Sequence, residues 1–213
     1  MGIRQLLHFP QGYQQVFKNS VIILFIALMF GVIFGAVYVN YLDYYDLEEV
    51  ESGLNYFLQI TDEGGNVSRA KVATNSLNTN GLFILYSVIC GLTVIGVPLV
   101  VAMIAFRGAL LGFTVGYMIY RLAWKGMAFS ILTLFPFAIV VVVTCIFSGA
   151  TAMTFSWLMV RKVFGGRDRS PTPILGYLVL QLGAFLVMFV LAMLEAGAVP
   201  WLYQRLLPWA MSG

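Results

Sequence analysis

Along this chain, apolar residues gather in long unbroken runs and the charged residues stand between them. Uncharged apolar runs occupy 21–42, 81–106, 108–120, 126–160 and 170–194. A helix rises ~1.5 Å per residue and needs roughly 20 apolar residues to cross ~30 Å of hydrocarbon. The first, second and last runs each suffice for one crossing. The run 108–120 is short. It must recruit 121–126, with Arg121 and Lys125 snorkelling to the interface, or be re-entrant. The run 126–160 is interrupted by Pro136, which leaves it as one long crossing or two. The pattern predicts an all-α, polytopic helical bundle of about five transmembrane helices, six if 126–160 divides. Pro98 and Pro136 are the candidate helix breaks.

A different pattern fills 43–80. Leu47, Val50, Leu54, Phe57 and Leu58 recur at helical spacing, with Glu48, Glu51, Ser52 and Asn55 mostly opposite them. Asp46 with Glu49 three residues later suits a helix start. This predicts a short amphipathic helix over 46–60, whose apolar row is a candidate contact for a partner, for the membrane or for the chain's own bundle. The stretch 61–80 is rich in Gly, Ser, Thr and Asn and reads as a flexible return. The resulting layout is an N-terminal segment 1–19, a first span 20–42, an acidic loop 43–80, and a multi-span bundle 81–213 that carries a basic loop at 161–173.

Composition places all of this in a bilayer. Of 213 residues, 61% are hydrophobic and 10% charged, against roughly 45–50% and 25% in soluble domains. Too few polar side chains exist to cover a water-soluble globule. That excludes a soluble enzyme, a disulfide scaffold and a disordered tail, and no feature calls for nucleic acid. Lys and Arg near span ends set orientation. Arg4 and Lys18 precede the first run, seven acidic residues from Asp43 to Glu63 follow it, and Arg161, Lys162, Arg167 and Arg169 cluster before the last run. The simplest solution puts the N-terminus, Arg107 and the basic loop in the cytoplasm and the acidic loop outside.

Catalytic chemistry needs converging polar groups of matched pKa, and the runs offer none. His8 is the single histidine, and Cys90 and Cys145 lie in apolar runs as small buried side chains. No catalytic residue, metal ligand or cofactor site is assigned. Glu195 reads as a boundary carboxylate facing headgroups, Arg107 as a loop charge, and Gln181 as a hydrogen bond between helices. The glycines say more. Gly108, Gly112 and Gly116 form a GxxxGxxxG ladder, and Gly31 and Gly35 a shorter one. Four-residue spacing aligns small residues on one helix face, so that another backbone can approach closely, either in the chain's own bundle or in a second protein.

Several of these residues also carry a resemblance. Gly91-Leu-Thr-Val-Ile-Gly96-Val-Pro98, then Phe106-Arg107-Gly108-Ala-Leu-Leu-Gly112-Phe113-Thr114-Val115-Gly116-Tyr117, resembles the central signature of the stage II sporulation protein M family, as does Phe30-Gly31-Val-Ile-Phe34-Gly35-Ala36. The wider family often carries Pro-His-Gly followed by a glutamate. Here the matching stretch is Phe135-Pro136-Phe137-Ala138 with Val141 at the acidic position, so any role of that His/Glu pair does not transfer. The resemblance implies a non-enzymatic plasma-membrane component at the sporulation septum. It would recruit or scaffold two murein enzymes, the lytic transglycosylase stage II sporulation protein D and the amidase/endopeptidase stage II sporulation protein P. A permease or channel subunit is the alternative, suggested by proline-broken spans. A homo-oligomer stays open.

Overall fold

The computed structural model describes the backbone of residues 11–41, 69–93, 95–133, 135–165 and 174–211. These residues form five helices: α1 (Gln11–Tyr38), α2 (Arg69–Leu92), α3 (Gly96–Thr133), α4 (Phe135–Gly165) and α5 (Ile174–Met211), with a single 3-10 turn at Val39–Tyr41 closing α1. Four of them contain stretches long and apolar enough to cross a membrane: Gln14–Tyr41, Gly96–Tyr120, Phe135–Arg161 and Ile174–Ala198. The chain is therefore an all-α, polytopic membrane bundle. Large apolar side chains cover its outside, among them Phe30 at 69% exposure, Phe106 at 67% and Leu175 at 62%. A surface of this kind is stable against acyl chains and not against water.

Helix α2 is the exception, because its first half carries Asn75, Ser76, Asn78 and Asn80. Polar composition suggests a flexible return up to residue 80. The structure instead makes Arg69–Leu92 one continuous helix.

The boundaries between spans also differ from those the charges suggest. The division between second and third runs falls not at Arg107 but after Thr93, where Thr93 N–H and its hydroxyl both donate to the Cys90 carbonyl at 3.1 and 3.0 Å. Gly96 N–H then donates to Thr93 O at 3.3 Å. A Cβ at Gly96 would land on the Cys90 carbonyl, so the reversal is open only to glycine. The short run 108–120 is accordingly no separate or re-entrant span. It is the middle of α3, a helix of 38 residues that reaches back to Gly96. The run 126–160 likewise divides before Phe135, its first part belonging to α3. Pro98 and Pro136 stand in the first turns of α3 and α4. There the missing N–H would have had no intrahelical acceptor, so each proline lies where an apolar run divides between two helices and neither interrupts a helix.

Helix α4, like α3, packs against all four other helices, and its span is the most buried of the four. From Ser148 to Ala152 it is buried all round, and Thr154 and Ser156 continue the buried stretch. These small side chains let Leu24, Val100, Ile104 and Met188 close over it as the core. Its hydroxyls bond mainly to carbonyls of their own helix: Thr144 to Val140 O at 2.8 Å, Thr151 to Ser148 O and Thr154 to Ala150 O, both at 2.7 Å. Hydroxyls tied down in this way can be buried without seeking water.

Candidate functional site

The two glycine ladders meet each other. A Cβ on Gly31 or Gly35 of α1 would overlap the carbonyls of Ala105 and Ala109 in α3, and one on Gly108 or Gly112 would overlap those of Leu28 and Val32 in α1. At Gly116 the nearest atom would be Ala36 Cα, at 3.1 Å. The pairs advance together along both helices, so α1 and α3 run parallel. Backbones this close gain dispersion contacts and Cα–H···O contacts that larger side chains would forbid.

A second set of contacts centres on Gln181 of α5, which is 2% exposed. Its Oε1 accepts from Ser148 Oγ at 2.7 Å, and its Nε2 donates to Ser148 O at 3.0 Å and to Thr151 Oγ1 at 3.1 Å. One turn earlier, Tyr177 stacks on Phe155, centroids 4.5 Å apart, and its hydroxyl donates to Ser87 O of α2 at 2.9 Å. Gly91 makes room for that hydroxyl, since any Cβ there would strike it. Ser156 Oγ donates to Thr93 O at 2.7 Å, tying α4 to the turn before α3. Tyr177→Phe keeps the stack and removes the hydroxyl's shared bond to Ser87 O and Val88 O of α2, the latter at 3.3 Å. A loss of ~0.6 kcal/mol, the average for such bonds in membranes, is expected in reversible unfolding from mixed micelles.

The third set is ionic. Arg107, midway along the apolar stretch of α3, donates to Asn80 Oδ1 of α2, and its guanidinium lies 5.0 Å from the centroid of the Phe83 ring. Asn80 Nδ2 donates to Ser76 Oγ at 3.2 Å, and Ser76 Oγ donates to Glu195 Oε2 of α5. Arg107 is thus no loop charge and Glu195 does not merely face headgroups: two neutral side chains of α2 link them. The local signal was the spacing of Ser76 and Asn80, one turn apart on a helix. It was hidden because neither partner lies nearby in sequence.

Chemically, these sets join helices. Among the described residues no group of three or more His, Cys, Asp or Glu side chains could hold a metal ion. Cys90 and Cys145 are free and buried. The apolar row Leu47, Val50, Leu54, Phe57 and Leu58 lies outside the described residues, as do His8 and residues 166–173.

Neither the curated proteins nor the solved structures give a significant match. The family model described as stage II sporulation protein M does match, over residues 21–200, from the middle of α1 through most of α5. That interval includes both glycine ladders, the Gln181 contacts and the whole link from Arg107 to Glu195. A match across most of the chain settles the assignment: this protein belongs to the stage II sporulation protein M family.

Proposed function

We propose that this protein is a scaffold that recruits membrane-anchored murein hydrolases to the sporulation septum, with stage II sporulation proteins D and P as its partners. The family places it in the engulfment machinery that remodels peptidoglycan, as a non-catalytic membrane component acting with other engulfment proteins. That membership is the observation carrying the reading. The bundle is consistent with it, since the buried polar contacts described above join helix to helix. In this reading the N-terminus is cytoplasmic, α1 and α3 run outward, and α2 and α4 run inward. The acidic segment 42–68 then faces the wall, and Arg161 and Lys162 end α4 on the cytoplasmic side, as the distribution of basic residues favours. The permease reading loses its motive, because Pro98 and Pro136 begin helices and interrupt none.

Photo-cross-linkers placed at Val50 and Phe57 of the full chain in sporulating cells test the proposal, with lipid-facing Leu110 as the control position. Capture of one or both hydrolases from 50 and 57, and not from 110, is the expected result. Equal capture from all three positions overturns it. So does septal localisation of both hydrolases that persists when this protein is deleted.

A further inference from the structure

Helix α2 raises a physical problem. It is not among the helices apolar enough to span by themselves, yet it packs against α3, α4 and α5 and turns directly into α3. Something other than apolarity must keep its polar half in place. Among the described residues, the link Arg107–Asn80–Ser76–Glu195 reaches both α3 and α5 from that half. Asn80, 5% exposed, is shut inside the bundle.

The sense of the bonds in this link is informative. Arginine can only donate, and an ionised carboxylate can only accept. Between them, Asn80 accepts through Oδ1 and donates through Nδ2, and Ser76 accepts and donates through one oxygen. Every donor therefore points from Arg107 toward Glu195, the arrangement in which successive bonds polarise one another. Each ion alone at this depth would be costly. Joined through α2, the two charges balance and α2 becomes the piece that balances them.

We propose that Arg107 and Glu195 form an ionic clasp that retains α2 in the bundle through Asn80 and Ser76. These four are positioning residues. By fixing where α2 begins, they fix the anchor of the segment that carries Val50 and Phe57. The importance of that anchor rests on the scaffold reading, but the clasp itself does not.

The chemistry makes an unusual demand: the link must run backwards equally well. With Arg107→Glu and Glu195→Arg together, the amide of Asn80 flips to donate to the new carboxylate, Ser76 donates to its oxygen, and the new guanidinium donates to Ser76. The test uses the full chain in membranes with Cys90 and Cys145 replaced by alanine. A single Ala73→Cys reporter is placed on the buried face of α2, and its labelling by a membrane-impermeant maleimide is timed. Arg107→Glu alone sets two carboxylates against each other, and Asn80→Leu cuts the link without changing charge. Each is expected to raise labelling about tenfold or more as α2 opens locally, and the double exchange to return it to within about twofold of the parent. Unchanged labelling in both single variants overturns the clasp. So does a double exchange that labels as fast as Arg107→Glu, since two independent injuries would do that. No hydrolase is needed for this readout, so the clasp and the scaffold can fail separately.

Discussion

Gly112→Leu is expected to abolish the native bundle rather than weaken a contact with another protein. The glycine sits against Val32 of α1, and even a methyl group would overlap that residue's carbonyl oxygen. Overpacking typically costs about 1–3 kcal/mol where side chains can move aside. Here the obstacle is backbone within a helix, so the loss should reach about 3 kcal/mol or more, with α1 forced off α3. The same reasoning covers Gly35→Leu, whose obstacle is the Ala109 carbonyl. The checking measurement is a disulfide cross-link between cysteines placed on facing turns of α1 and α3, which should form in the parent and vanish in the variant. Gly183→Ala is the matched control, because a Cβ there meets nothing within 4 Å. If Gly112→Leu retained the cross-link, the parallel seam described above would be wrong. Failure of this variant to bind hydrolases would therefore say nothing about where they dock.

Gln181→Leu is expected to give the second largest loss, about 2 kcal/mol. The amide makes three bonds of 2.7–3.1 Å to α4, all in a site closed to lipid. Single bonds between membrane helices average only ~0.6 kcal/mol, with a maximum near 1.7. The larger figure follows because one side chain serves both Ser148 and Thr151, and its removal leaves Ser148 Oγ without its acceptor. Leucine recovers part of the packing and none of the polar contacts. Gln181→Glu should be worse still, since it deletes both donors and introduces a charge. Reversible unfolding of the three proteins in mixed micelles, parent above Leu above Glu, checks the order. A leucine variant as stable as the parent would mean that Gln181 is merely tolerated.

The apolar runs made most of the fold legible, because long uncharged segments in this composition have few alternatives to spanning helices. The glycine ladders were legible for a related reason: small residues four apart mark a face, and the seam lies on those faces. The charges misled. Treating Arg107 as a boundary follows from the cost of placing an ion in hydrocarbon, but the cost is offset by Asn80 and Phe83, which belong to a different helix. The polar half of α2 read as a loop for the mirror-image reason, since its partners Arg107 and Glu195 are remote in sequence. The role of Glu195 is hidden for the same reason, since its partner Ser76 is 119 residues away. The crowding around α4 follows from the small residues Ser148 to Ala152, with Thr154 and Ser156 after them. Such a run identifies a crowded face without saying which helices crowd it.

The parallel pairing of α1 with α3 also bears on how the chain is made. Helix α1 leaves the ribosome first, but the face it needs is not synthesised until Gly108, Gly112 and Gly116 have followed, after the intervening segment and all of α2. Through that interval α1 must rest in the bilayer as a solitary anchor, and with a mean hydropathy of 2.8 it is the greasiest of the four spans. Helix α2 has no such independence, and its polar half can settle only once Arg107 has emerged. Biogenesis should therefore proceed by holding α1 alone in the bilayer until α3 arrives and docks along it.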